Sequence, residues 1–550
     1  MLKDRIAQLV CQAAAEAQSR GLLPEVALPE IIIERPQISE HGDYASSLPL
    51  KLARSAHMDP YTIAQHLSGL ISPSAEIEKV MAARPGYINF VLKGDWLAQQ
   101  VDTILEQGQN YGAIDLGKKT RVQLEFVSVN PTGPLHVGHG RGAVLGSALA
   151  MVLSAAGYYV EKEYYINDAG AQIEHFRRSL VCRYQQGMGL PVEMPAEGYV
   201  GSYMVELASE IIAEYGDRLS KLSPEKASAE VGRIGLDKML SQIKADLELV
   251  GVVFDLWFNE SSLFKGSQYS RVMALLKEKG YIVDKEGALW FASTALGESK
   301  DNVLVRSDGT PTYFASDIAY HYNKFVERNF DQVINIWGAD HQGHVSRMKA
   351  AVGALGVNPE RLRVIITQMV TLRRGEEILR ISKRSGDIIT LREVVEEVGT
   401  DACRFFFLAR SADSQMDFDL ELAKKQSEDN PVYYVQYAHA RIASILRRVQ
   451  GVDYSQGDVS LLTSEPELSL IRYMLRLPEV VETVASNLEP HHLPYYAQEL
   501  ATAFHSFYKQ CRVISKDQAS TQARLKLVAA AKVVLSRTLQ LMGINAPEQM

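Results

Sequence analysis

Ser128-Val-Asn-Pro-Thr-Gly-Pro-Leu-His136-Val-Gly-His139-Gly-Arg-Gly142 is the stretch on which the fold of this chain turns. It follows a β-rich run, Val122-Gln-Leu-Glu-Phe-Val127, and opens an Ala-rich helical pattern, so it is the turn between a strand and a helix. A helix start offers unpaired N–H groups, and Gly138, Gly140 and Gly142 let a polyphosphate come close to them. His136 and His139 add imidazole donors where charge develops on phosphoryl oxygens. Taken alone, two histidines at this spacing equally suit a metal pair or an ordinary helix start.

On either side the pattern is consistent with a strand–turn–helix unit. Tyr158 to Ile166 and Val333 to Trp337 read as further strands among helical patterns, which predicts α/β architecture: a Rossmann-type parallel sheet wound with helices. Residues from about 175 to 300 are largely helical and charged and read as an insertion. Upstream, an amphipathic start (Ile6, Leu9, Val10, Ala13), the run Ile31 to Ile33 and a strand over Tyr87 to Val91 predict a small α+β domain. After about 430 the apolar spacing is helical throughout, from Val435, Ile442 and Ile445 to Val533, Val534 and Leu535, which predicts an α-helical bundle. The expected division is 1–118, 119–385 with the insertion, a connecting stem-contact segment at 386–429, and 430–550.

A chain of 550 residues, 46% hydrophobic and 23% charged, has room for several cores and excludes a single small module and a disordered chain. The net charge of -8 means that any nucleic-acid contact must come from local basic surfaces. Cys11, Cys182, Cys403 and Cys511 are too dispersed for a CxxC metal site or a disulfide framework, which suits a reducing, cytoplasmic setting. No export signal is apparent at the N-terminus. The uncharged run Gly142 to Val160 is rich in Gly, Ala and Ser and reads as a buried helix, not a membrane span.

A second segment, Leu379-Arg-Ile-Ser382-Lys383-Arg384-Ser385-Gly386-Asp387, is a basic, hydroxyl-bearing loop that can fold over a triphosphate and neutralise departing pyrophosphate through Lys383. Together the two segments resemble the HIGH and KMSKS signatures of class I aminoacyl-tRNA synthetases, although Arg380 and Ile381 stand where the generic second signature has Lys-Met. Across essentially the whole chain the sequence resembles the arginyl-tRNA synthetase family. Gly42-Asp-Tyr44-Ala45 is similar to its N-terminal additional domain, associated with the tRNA elbow. Asn130 to Gly140, Tyr165-Ile-Asn167-Asp168-Ala-Gly170-Ala-Gln172, Pro431 to Arg441 and the closing Ala546-Pro-Glu-Gln-Met550 follow the family's pattern.

The resemblance implies ATP-dependent activation of L-arginine to an adenylate and transfer to the 3′-terminal ribose of tRNA(Arg), at the 2′-hydroxyl and with activation dependent on bound tRNA. It implies His136, His139 and Lys383 as catalytic, and Pro134, Leu135, His136, Gly138, His139, Gly140, His344, Ser382, Lys383 and Arg384 around ATP. Ser128, Asn130 and His139 would hold the amino end of arginine, Tyr313 and Asp317 its guanidinium, with His341 or Gln342 completing that pocket. A carboxylate suits the planar fork of guanidinium donors. Mg2+ would accompany ATP, and no protein-bound zinc is expected. For tRNA, seven basic residues against one acid lie between 505 and 538. Lys509, Arg512 and Arg524, with Tyr44, Tyr433, Tyr437 and Arg441, are the expected contacts. A monomer with no membrane partner is expected.

Overall fold

The computed structural model describes the chain except for residues 37, 73, 169, 380–388 and 450. The second basic loop, with Ser382, Lys383 and Arg384, therefore lies outside the described residues.

The strand read at 122–127 forms over Arg121–Glu125 (β1) and is the centre of a five-stranded, wholly parallel sheet. The others are Tyr159–Ile166 (β2), Leu256–Asn259 (β3), Gln332–Gly338 (β4) and Leu362–Thr367 (β5), in the spatial order β5-β4-β1-β2-β3. The chain runs outward from β1 through β2 to β3, then returns to the other side of β1 for β4 and β5. The strand order thus reverses between β1 and β4, where a doubly wound sheet opens a crevice at its carboxyl edge. Helix α1, Val137–Ala155, is buried on nearly all sides, as its sequence, uncharged after Arg141, requires. Gly146 sits so close to β1 that a Cβ there would lie 2.3 Å from the Phe126 ring. Among the described residues no helix is long and apolar enough to cross a membrane.

The expected insertion is smaller than its sequence suggested. Three helices, Ala171–Gly187 (α2), Ser202–Tyr215 (α3) and Pro224–Leu249 (α4), make it up, but β3 beyond them pairs with β2 and belongs to the main sheet. Short edge strands carry little periodicity of their own, so β3 was hidden in the sequence. A small antiparallel sheet, Ile282–Lys285, Ala288–Phe291 and Asn302–Val305, then leads to helix α5, Tyr313–Tyr322. Beyond the second basic segment, Leu391–Val398 (α6) starts at a capping box in which Thr390 and Glu393 satisfy each other's backbone amides.

At the N-terminus, helix Leu2–Ser19 and a four-stranded sheet form the α+β unit, whose order places Tyr44–Ser46 beside Tyr87–Leu92. At the C-terminus, Pro431–Arg448 (α7), Glu465–Met474, Leu477–Asn487, His492–Gln510 and Gln518–Leu541 form the bundle. One hydrophobic core runs continuously from Ile6 through Phe126 to Ile544. Partly buried ion pairs tie the two ends together: Arg35 grips Glu479 with two nitrogens, and Arg472 pairs with Asp43 at 2.7 Å.

Candidate active site

β1 ends in a sharp turn. Val127 and Ser128 take φ of 68° and 42°, a region that non-glycine residues rarely occupy. The phenol of Tyr164 donates to the Val129 carbonyl at 2.8 Å, and the Tyr165 amide donates to Ser128 Oγ at 3.1 Å. The loop then enters α1 with His136 as its N-cap. The Gly138 amide donates to His136 Nδ1 at 3.1 Å, and the His136 amide to His139 Nδ1 at 3.3 Å, while the two rings stack 3.4 Å apart. Both Nδ1 atoms are thereby acceptors, so each neutral ring carries its proton on Nε2. Both Nε2–H groups thus stand near the positive end of a long helix.

The segments flanking the second basic loop dock on this turn. Leu391 donates its amide to the Leu135 carbonyl at 2.7 Å, and Thr390 bridges to His136. Gly140 is required there, since a Cβ would lie 2.5 Å from Leu391. Arg141, fully buried in α1, spreads its guanidinium over the carbonyls of Gln368, Ser411 and Ser414 at 3.0, 2.7 and 2.9 Å. Burial pushes its pKa down to about 10, against the pull of Asp413.

The other half of the site is acidic. Asp317 on α5 is only partly exposed, and burial together with the charges of Glu125 and Glu260 pushes its carboxyl up to about 7, against the pull of Arg347 and Lys324. Glu125 ends β1, Glu260 follows β3, and both are buried. The phenol of Tyr165, on β2, senses all three carboxylates and is raised well above its ordinary value, chiefly by burial. Lys324 is completely buried and donates to Glu125 at 2.5 Å and to Asn335 Oδ1 at 3.2 Å. Asn335 in turn donates to His321 Nε2 at 3.0 Å, which fixes the His321 proton on Nδ1, facing the Asp317 carbonyl at 2.7 Å. Burial, with Lys324 beside it, pushes His321 down to about 3, so this ring stays neutral.

Tyr313 is exposed at the mouth, its hydroxyl 3.3 Å from where a Cβ on Gly170 would stand. After β4, His341 packs against Trp337 and His344, while Arg347 donates to His344 Nδ1 at 2.6 Å. The residues named around ATP and arginine that lie within the described chain therefore follow the carboxyl ends of β1 and β4 or sit on α5. Glu125, Glu260, Lys324 and Arg347 were missed. Glu125 alone had a visible signal, an acid between Leu124 and Phe126 in the central strand, where unpaired charges do not stay.

The RNA contacts fare differently. Tyr44 is 3% exposed and spends its hydroxyl on Glu479, so its side chain is an interdomain tie and not a surface contact. Arg524 is held by Glu467 at 2.7 Å, Lys526 is buried against Asp102, and Lys532 pairs with Glu548, which consumes much of the basic excess. Lys509, Arg512 and Lys516 remain exposed. On α7, Tyr433 and Tyr437 stack 6.1 Å apart, and Arg441 lies over Tyr437 and Tyr508.

Residues 3–92 match the family described as arginyl tRNA synthetase N terminal domain, 100–407 that of the tRNA synthetases class I (R), catalytic domain, and 435–550 the DALR anticodon binding domain. An arginine–tRNA ligase from Dehalococcoides mccartyi is 58% identical over 551 residues, covering 100% of this chain and 99% of that protein. One from Carboxydothermus hydrogenoformans is 50% identical, with 94% of each chain covered. The structure of Thermus thermophilus arginyl-tRNA synthetase aligns over 100% of both chains with a TM-score of 0.78 at 23% identity, which shows a common fold.

Proposed function

We propose, from the premise that this chain belongs to the arginyl-tRNA synthetases, how its residues divide the reaction that joins arginine to tRNA(Arg) with ATP as substrate. The acidic cluster Glu125, Glu260 and Asp317 receives the guanidinium. Asp317 offers a two-pronged acceptor, and Lys324 balances Glu125 so that the pocket is not three bare charges. Tyr313 closes the mouth, and Gln342 and His341 complete the wall toward β4. Ser128, Asn130 and His139 hold the amino end. This orientation points the arginine carboxylate toward α1.

ATP lies along Pro134 to Gly140, with its phosphates at the start of α1 and His344 on the opposite side. The carboxylate oxygen attacks the α-phosphorus, the bond to the bridging oxygen breaks, and pyrophosphate leaves. No covalent enzyme intermediate is needed, so positioning and charge stabilisation do the catalysis. Nε2–H of His136 and His139 are donors to the phosphoryl oxygens, and Lys383, with Ser382 and Arg384, takes the pyrophosphate charge. The groups at this helix start are N–H donors that suit anions and not a metal, so Mg2+ enters on the nucleotide, carried by phosphate oxygens. The terminal ribose hydroxyl of the tRNA then attacks the adenylate carbonyl and AMP leaves.

The helical domain carries the tRNA, with the α7 aromatic ladder and the exposed Lys509 and Arg512 as contacts. We propose that the chain acts as a monomer. Four free cysteines support a reducing, cytoplasmic setting. The observation that carries this assignment is an acid pocket and an anion-binding helix start at one sheet edge. Aminoacylation of total tRNA with each amino acid in turn tests it: arginine alone should be esterified, and charging of another amino acid in its place would refute it.

A further inference from the structure

The insertion formed by α2, α3 and α4 packs around a core of its own, centred on Phe176, Leu180, Met204 and Ile234. Three of its polar contacts nonetheless reach the turn after β1 or the helix that docks on that turn. From α3, the phenol of Tyr203 donates to the Thr132 carbonyl at 2.8 Å. From α2, Gln172 accepts from the Asn130 side chain. Near the end of α4, buried Asp246 takes Arg392 of α6 at 2.6 Å, one residue from the Leu391 amide that holds the Leu135 carbonyl. The insertion therefore grips residues 130–135 directly on one side and through α6 on the other. The gripped turn begins with two non-glycine residues at positive φ, Val127 and Ser128, a conformation that persists only where surrounding contacts over-determine it.

We propose that Tyr203 is a positioning residue for adenylate formation, through which the helical insertion fixes the turn between the arginine-binding and ATP-binding residues. This rests on the assignment of residues 128–140 to the substrates. Thr132 lies midway between Asn130, at the amino end of arginine, and Pro134 to His136, along ATP. A shift at Thr132 changes the approach of the carboxylate to the α-phosphorus more than the affinity for either substrate, and a small misplacement of reacting atoms acts on turnover. The phenol lies directly against this turn: a Cβ on Gly133 would be in van der Waals contact with it, 3.4 Å from the Tyr203 oxygen.

The test is Tyr203→Phe in the full chain, which removes one oxygen and leaves the ring. Arginine-dependent exchange of pyrophosphate into ATP is measured with tRNA present, together with the thermal transition. The expected result is a kcat lower by about three- to tenfold, the range set by one buried hydrogen bond, with KM for ATP and for arginine within about twofold and the thermal transition in place. Parental kcat in the folded variant overturns the proposal. So does a change confined to KM, or a loss of activity that merely follows the unfolded fraction. Absence of exchange in the parental protein would instead overturn the assignment of the site.

Discussion

The ammonium of Lys324 lies 2.5 Å from the carboxylate of Glu125, and neither side chain is more than 9% exposed. The pair sits at the carboxyl edge of the central strand, directly after α5, so the proposed arginine pocket is built on a buried charge pair and not on a free acid. Removing one partner of such a pair costs roughly 3–5 kcal/mol, because the other is left uncompensated. Lys324→Met should therefore lower the unfolding free energy by about that amount in urea. The double variant with Glu125→Gln should recover much of it. Equal losses in the single and double variants would mean that the pair contributes through packing alone.

With Asp317 as the proposed acceptor of the guanidinium, arginine recognition should depend on pH. Its carboxyl is pushed up to about 7, so in the free protein it is largely protonated below that value and ionised above it. A guanidinium requires the ionised form, and binding therefore releases a proton when the pH is below about 7. KM for arginine should be flat above pH 7 and rise up to about tenfold for each unit below it. The same shift acts on stability with the opposite preference. A carboxyl whose folded pKa is raised stabilises the fold at low pH, and that contribution is lost as pH rises through about 7. Asp317→Asn should remove the pH dependence of KM, and Asp317→Ala should raise KM for arginine at least about a hundredfold, with ATP binding little changed and rejection of citrulline lost. A KM profile that keeps its slope in Asp317→Asn would assign the titration to another group.

The stacked pair His136 and His139 allows capping to be separated from catalysis. His136→Asn keeps an acceptor for the Gly138 amide but shifts the donor that the ring carried on Nε2. It should retain the thermal stability of the parent and lose about a hundred- to a thousandfold in turnover, the usual cost of one preorganised donor. His136→Ala should lose the cap as well and fall in stability by about 1 kcal/mol. Lys383→Ala should match the turnover loss without any change in stability. Parental turnover in folded Lys383→Ala would remove the second basic segment from the ATP site.

How far these assignments were legible in the sequence follows from what each depends on. The strand–turn–helix around His136 is local, carried by a β-rich run, glycines and an Ala-rich helix, and is legible in the sequence alone. Asp317 was reached only by resemblance, because a single acid on a helix carries no pattern. Glu260, Lys324 and Arg347 are brought together from three separate stretches by the sheet and by α5, and no spacing along the chain encodes that meeting. Tyr44 shows the converse: its motif was plain, but its burial depends on Arg35 and on Glu479, a residue 435 positions away. In the basic stretch at 505–538 the pairing of Arg524, Lys526 and Lys532 was illegible for the same reason, since charges counted along a chain do not reveal the acids that face them in the fold.

That last point separates two kinds of arginine in the bundle. Arg524 is anchored to Glu467, which is itself 1% exposed, and to the Arg512 carbonyl at 2.9 Å. Reversing its charge would bring two carboxylates together under cover. Arg524→Glu should therefore destabilise the helical domain, and its effect on tRNA binding should vanish once the unfolded fraction is accounted for. Lys509 and Arg512 have exposed side chains and no acidic partner among the described residues. If they meet the phosphate backbone of a stem, each reversal should leave the thermal transition in place, weaken tRNA binding, and reduce the slope of log affinity against log salt by ~0.9. The measurement is filter binding of tRNA(Arg) across a range of salt concentrations. A slope unchanged in both Lys509→Glu and Arg512→Glu would move the phosphate track off this face of the bundle, to the stacked ladder of Tyr433, Tyr437 and Arg441 or to the N-terminal domain.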